Sequence, residues 1–295
     1  MTSPLALVTG GAGFIGSNLV DALLERGWRV RVLDDLSTGH IANLEHVRDR
    51  IDLVKGSVVD PATCAAACHG VTTIFHQAAI PSVPRSVADP EATHAACATG
   101  TLNMLHAARQ AGARRFVYAA SSSAYGDTVE LPKREDVTGT PKSPYAVAKL
   151  TGEHYCAAWH AVWGFETVAL RYFNIFGRRQ DPDSAYAAVI PLFVRHALAG
   201  TAPTINGDGE QTRDFTHVSN AVHANLLAAE RPADRVAGRV FNVGCGERIS
   251  INRLWHEIRE LTGAEVDARH GPSRPGDVRD SLASLDRSSA DLGYE

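Results

Sequence analysis

The segment Leu5-Ala6-Leu7-Val8-Thr9-Gly10-Gly11-Ala12-Gly13-Phe14-Ile15-Gly16, continued by Ser17-Asn18-Leu19-Val20-Asp21-Ala22-Leu23-Leu24, decides the fold. An apolar run, a glycine turn and a helical pattern predict a buried strand that feeds a helix N-terminus. The unpaired N–H groups and dipole of such a terminus cradle a dinucleotide pyrophosphate. Gly10 suits the tight turn, Gly13 lets the backbone approach the phosphates, and Gly16 lets helix and strand pack closely.

Glycine spacing alone marks many ordinary turns, so the flanks carry the weight. A second apolar run, residues 29–33, ends at Asp34, 18 residues after Gly16. A carboxylate there grips the adenosine ribose hydroxyls. The residues after it are Asp35-Leu36-Ser37, with no arginine. A 2′-phosphate would meet two carboxylates, so the expected cofactor is NAD rather than NADP.

Strand-like runs at 5–9, 29–34, 52–56, 72–77, 115–121 and 166–172 alternate with helical patterns such as 91–111 and 145–163. That alternation predicts an α/β fold, a doubly wound parallel sheet with helices on both faces. After residue 177 glycine and proline become frequent. Residues 1–177 are therefore expected to form the dinucleotide-binding domain and 178–295 a smaller mixed α/β lobe over the sheet mouth. The chain is expected to return to the sheet within 214–245, through a helix at 217–229 and a strand at 240–243. Ligands of such sheets bind outside the carboxyl ends of the strands.

Composition narrows the function classes. The chain has 295 residues, 44% of them hydrophobic, and a net charge of −4 with both signs dispersed. It has no basic footprint for nucleic acid and no membrane-surface patch. No run approaches the roughly 18 apolar residues of a membrane span, and a cytoplasmic location is expected. The five cysteines are odd in number and scattered, as befits reduced thiols rather than a disulfide framework. No metal site is expected.

Tyr145 and Lys149 lie one helical turn apart after Ser143-Pro144. They share a helix face, and an ammonium beside a phenol is expected to lower the phenol pKa and make it a general base. Upstream, the run 116–126 ends a strand on Ser121, Ser122 and Ser123. Serine, tyrosine and lysine around a nicotinamide form a hydride-transfer site. The serine orients the reacting hydroxyl, the tyrosine moves its proton, and the lysine tunes the tyrosine.

With these segments the chain resembles the extended short-chain dehydrogenase/reductases that act on nucleotide sugars, most of all the UDP-sugar 4-epimerases. The resemblance runs nearly the whole length. It includes 10–16, Asp34, His76-Gln77-Ala78-Ala79, 121–123, Tyr145/Lys149, Arg171-Tyr172-Phe173-Asn174, 207–215 and Arg274-Pro275-Gly276-Asp277. It implies that Tyr145 takes the 4-hydroxyl proton while hydride passes from carbon 4 to tightly bound NAD. The 4-keto sugar then turns over and is reduced on its other face. Related dehydratases and decarboxylases carry an acid at the position of Ser122 or Ser123, and this chain has only serines there.

The resemblance also implies a cofactor site of Gly10, Gly13, Phe14, Ile15, Gly16, Asp34, Ser57, Val58, Gln77, Ala78, Ala79, Tyr145, Lys149 and Tyr172. For the UDP-sugar it implies a pyrophosphate clamp of Asn174, Arg213 and Arg274, and Asp277 on the uridine ribose. Ala188, Val189, Thr204 and Asn206 would border the uracil. Ser82, Val83, Arg85, Ser121 and Ser123 would sit beside the sugar. In relatives the position of Ser281 gates the 2-substituent, tyrosine excluding an N-acetyl group and a small residue admitting it. The implied substrates are UDP-N-acetylglucosamine and UDP-N-acetylgalactosamine. The alternatives are a UDP-glucose/UDP-galactose 4-epimerase, a UDP-glucuronate 4-epimerase using Arg85, and a non-catalytic NAD-binding protein.

Three positions depart from the family pattern. Ser57 stands where an aspartate usually meets the adenine, and Cys97 where an asparagine usually lies near the nicotinamide ribose. The chain stops at Gly293-Tyr294-Glu295, where relatives continue with a helix that would cover apolar surface. The resemblance further implies a homodimer through a four-helix bundle of helices 91–111 and 145–163, with Trp159 and Trp163 either in the core or at the interface.

Overall fold

The computed structural model describes residues 3–137, 139–182, 188–273 and 278–295. Seven strands form one sheet: β1 (Leu5–Thr9), β2 (Arg29–Asp34), β3 (Ile51–Lys55), β4 (Thr73–His76), β5 (Arg115–Ser121), β6 (Glu166–Tyr172) and β7 (Arg239–Val243). Their order is β7-β6-β5-β4-β1-β2-β3, and every neighbouring pair is parallel. The order reverses between β1 and β4, where a cleft opens at the strand ends. The fold is the doubly wound α/β sheet expected.

The strands are buried on both faces because helices cover both. On one face α1 (Phe14–Glu25) and α6 (Val218–Glu230) bury Leu19, Val20, Leu23, Ala224 and Leu226. On the other, α2 (Pro61–Cys68), α3 (Gly100–Gln110) and α4 (Pro144–Trp163) bury Cys64, Met104, Leu105 and Cys156. A third core belongs to the later part of the chain. There α5 (Val189–Leu198) and α7 (Ile251–Thr262) pack through Phe193 and Trp255, whose ring centroids are 5.3 Å apart. The predicted strand and helix bounds hold to within one or two residues, with one exception. The predicted helix 91–111 is Pro90–His94, a π-turn at Ala95–Thr99, then α3. Thr101 Oγ1 donates to Cys97 O at 2.6 Å inside this turn. Wide turns of this kind often sit beside functional sites, and Ala95 and Ala96 here face the cleft.

At the C-terminal end, Leu292 and Tyr294 are buried, and the Tyr294 hydroxyl donates to Gly244 O at 2.8 Å. Both side chains belong to the same core as Phe241 and Val243 of β7.

Candidate active site

The glycine turn is shaped by contact distances. Gly10 has φ +67°, and a Cβ there would lie 2.8 Å from the backbone of Ala78. A Cβ on Gly16 would fall on the Gly10 carbonyl oxygen. Side chains are thus excluded where α1 meets the sheet, and the α1 N-terminus opens onto a cleft of about 1090 Å³. That volume exceeds the usual small-ligand pocket and has room for two nucleotides.

Asp34, at the end of β2, accepts from Ala12 N at 2.9 Å and Leu36 N at 2.8 Å. Burial raises its pKa; the two N–H bonds oppose that, and Asp35 adds to it. The wall continues through Asp35, Ser37 and Thr38, with no lysine or arginine among them. The glycine cradle and this anionic ribose end fit NAD and disfavour a 2′-phosphate. Ser57 and Val58 line the same end. The Ser57 Oγ already accepts from Val59 N at 3.3 Å.

The HxAA segment forms a fixed relay. Ala78 N donates to Thr9 Oγ1 (3.2 Å), which meets His76 Nδ1 at 2.7 Å. His76 Nε2 meets Thr101 Oγ1 at 3.0 Å. Thr101 spends its proton on Cys97 O, so Nε2 carries the ring proton and Thr9 donates to Nδ1. Burial pushes the His76 pKa down to about 3, with Lys149 adding to the effect. The ring is neutral and joins the cradle to the π-turn.

The Tyr145–Lys149 pair is set by α4. Ser143 caps it, accepting from Ala146 N at 3.2 Å, and Pro144 opens it, so Tyr145 lies on the first turn facing the cleft. Lys149 is 3% exposed and donates to Ala119 O at 2.8 Å, which ties α4 to β5. From β5, Ser121 Oγ accepts from Ser123 N at 3.2 Å and Ser123 Oγ at 2.9 Å. Ser121 and Tyr145 both line the cleft. Ser122 lines the cleft on the same 3-10 turn. The phenol pKa corrects the sequence expectation. Burial drives it well above the ordinary tyrosine value, Cys97 adds to this, and only Ser121 opposes it. Burial also pulls the Lys149 pKa down. In the ligand-free protein the tyrosine is therefore a neutral acid. Cys97 is buried beside Tyr145 in a small cluster with Ala98 and Ala148.

Tyr172 closes a three-membered ring of polar groups. Its hydroxyl donates to Gln77 Oε1 (3.2 Å), Gln77 Nε2 donates to Asn225 Oδ1 (3.0 Å), and Asn225 Nδ2 donates back to the hydroxyl (2.6 Å). Sequence reasoning named Gln77 and Tyr172 but missed Asn225, whose place on α6 carries no local signal. It also missed Lys133, which is 4% exposed, lines the cleft and hydrogen-bonds Thr128.

Among the expected substrate residues, Ser82, Val83, Arg85, Asn174, Ala188, Arg213 and Ser281 all line the cleft. Asn174 adopts φ +37° and donates through Nδ2 to Asp214 O at 3.0 Å. Arg213 Nη1 donates to Thr212 O at 2.9 Å. Val189, next to Ala188, packs its side chain against the third core. Thr204 and Asn206 lie in a short strand paired with Arg269–Gly271. Arg274 and Asp277 lie outside the described residues.

Comparison with known proteins agrees with this geometry. Residues 6–244 match the NAD dependent epimerase/dehydratase family. A UDP-glucose 4-epimerase of Mycolicibacterium smegmatis is 39% identical over 98% of this chain and 92% of its own length. A UDP-N-acetylglucosamine 4-epimerase from Methanobrevibacter ruminantium, solved with UDP-N-acetylmuramic acid, superposes with TM-score 0.94 at 36% identity. It covers 100% of this chain and 93% of that one. A UDP-glucose 4-epimerase of Thermus thermophilus in complex with NAD gives TM-score 0.89 at 34% identity, over 99% and 93% of the two chains. The chain belongs to the NAD dependent epimerase/dehydratase family, of the extended short-chain dehydrogenase/reductase type. It is an NAD-dependent epimerase.

Proposed function

We propose that this nucleotide-sugar 4-epimerase interconverts UDP-N-acetylglucosamine and UDP-N-acetylgalactosamine. The carrying observation is the small side chain of Ser281 on the cleft wall. There a bulky residue would fill the space beside the sugar's 2-substituent. The similarity to the Methanobrevibacter enzyme supports the same reading.

Bound NAD supplies a reversible two-electron acceptor for carbon 4. The chain's own residues do the rest. Ser121 and Ser123 orient the 4-hydroxyl, and Tyr145 accepts its proton and later returns it. Lys149 places positive charge beneath the site. Asn174 and Arg213 hold the diphosphate through N–H donors. The triplet itself holds only serines, with no acid of its own to drive a second reaction, which supports oxidation and reduction at one carbon.

A second reading is a UDP-glucose/UDP-galactose 4-epimerase, favoured by the name of the Mycolicibacterium relative. A pocket with spare room also admits the smaller sugar. Ser281→Tyr separates the two. The expected outcome is a loss of roughly tenfold or more in kcat/KM for N-acetylated substrates, with UDP-galactose spared. Unchanged preference would remove Ser281 from the account.

A homodimer through α3 and α4 is part of the proposal. The outer face of α4 leaves Val147 at 51% and Trp163 at 48% exposure, with Arg109 of α3 stacked on Trp163 at 4.7 Å. Trp159 faces inward.

A further inference from the structure

Residues 177–182 follow the short strand Ile175–Phe176 beyond β6 and run along the cofactor half of the cleft. Gln180 and Asp181 line that cleft together with Phe14, Ile15, Gly16 and His40. The crossing is fastened on its outer side, away from the reacting atoms. Arg178 Nε donates to Asn18 Oδ1 at 2.7 Å, and Asn18 Nδ2 donates to Arg178 O at 3.2 Å. Arg178 Nη2 meets Asp21 Oδ2 at 3.0 Å, and Arg179 Nη2 meets the same oxygen at 2.8 Å. The other oxygen, Asp21 Oδ1, is 2.8 Å from His46 Nε2. Farther along, Asp181 Oδ2 lies 3.8 Å from His40 Nε2.

Asn18 and Asp21 are three residues apart and share one face of α1, the helix whose N-terminus cradles the pyrophosphate. Asp21 is only 11% exposed, so its ion pairs are shielded better than ordinary surface pairs. Arg179 is held at φ +68°, a left-handed conformation that a non-glycine residue keeps only when its surroundings impose it. These contacts hold the segment in this conformation.

We propose that residues 177–182 are a strap over the bound dinucleotide and that Asp21 is the positioning residue that latches it. An epimerase returns its hydride to the same sugar, so the cofactor never has to leave between turnovers. The latch on α1 sets how long it stays.

The test uses holoenzyme loaded with NAD and freed of excess cofactor. It is then incubated with a glycohydrolase that destroys NAD once released. NAD that survives on the protein is measured over time by chromatography of acid-quenched samples. Asp21→Asn and Arg178→Gln should release NAD roughly tenfold faster than the unaltered protein. Asp21→Glu should recover part of the retention. Arg26→Ala, which breaks an exposed pair with Glu230 at the far end of α1, should retain NAD like the unaltered protein. Unchanged release in both Asp21→Asn and Arg178→Gln overturns the proposal, as does equal acceleration in Arg26→Ala. If Asp21→Asn does not fold, Arg178→Gln decides, because it leaves α1 intact. An unaltered protein that loses NAD at once also overturns the latch. It leaves the epimerase reading standing, because activity is assayed with NAD added.

Discussion

Tyr145 shows what the site must accomplish. Burial holds its proton on in the ligand-free protein, and Ser121 alone pulls the other way. In the proposed mechanism positive charge near the phenol is needed when the site is loaded, and Lys149, one helical turn on, is the side chain proposed to supply it. Tyr145→Phe should lower kcat by roughly 10²–10⁴-fold while calorimetry shows nearly unchanged UDP-sugar affinity. Retained turnover would remove Tyr145 as the base. His76 makes a prediction in pH. Its folded pKa of about 3 lies below the unfolded value of 6.5, so the unfolded chain binds the proton more readily. Its stabilisation is full above pH 6.5 and falls by about 1.4 kcal/mol per pH unit as pH drops toward 3. Thermal melts from pH 7 to 5 should decline less steeply for His76→Gln than for the unaltered protein. At this scale Tyr145, Lys149 and Asp34 were legible because each signal is local: a helical spacing or a fixed distance from the glycine turn. Asn225 was not, because it reaches Tyr172 and Gln77 only through tertiary packing.

Elements carry the site through their joints. α4 is pinned to β5 by Lys149 Nζ to Ala119 O and by the Tyr118 hydroxyl to Lys149 O, at 2.8 and 3.1 Å. Gly152, one turn on, lies against the Tyr118 hydroxyl, where a Cβ has no room. Glycine to alanine within a helix ordinarily stabilises by about 1 kcal/mol. Here the sign should reverse, with Gly152→Ala costing about 1–3 kcal/mol through overpacking. A raised melting temperature would contradict this packing. The strand runs and α4 were legible from apolar periodicity and from Ser143-Pro144 at the helix start. The π-turn was not, since Ala95, Ala96, Cys97 and Ala98 suit an α-helix equally well. The Thr101 hydroxyl bonded to Cys97 O accompanies the turn. Val189, expected to border the uracil, opens α5 beside Ala188 of the cleft wall and packs its side chain toward α7.

For the whole molecule, Asp214 joins parts of the chain distant in sequence. It is fully buried and accepts from Cys245 N (2.8 Å), Gly246 N (3.1 Å) and Ala283 N (3.1 Å). The exit of β7 and the segment bearing Ser281 are thereby tied together. Asp214→Ala would leave Ala283 N unpaired in a buried position, at about 1–3 kcal/mol, and would free the part-buried Cys245 N and Gly246 N at smaller cost. A large fall in melting temperature is expected, and a near-neutral effect would contradict the assignment. The parallel sheet and its later strand, β7, were legible in the alternation of patterns. The three-way tie was not, because nothing near Asp214 in sequence points to residue 283.

The most direct measurement is a proton NMR time course of the purified protein with UDP-N-acetylglucosamine and, separately, UDP-glucose, each with NAD added. The account predicts growth of the galacto anomeric signal from UDP-N-acetylglucosamine, at least as fast as from UDP-glucose. Conversion of UDP-glucose alone would contradict it.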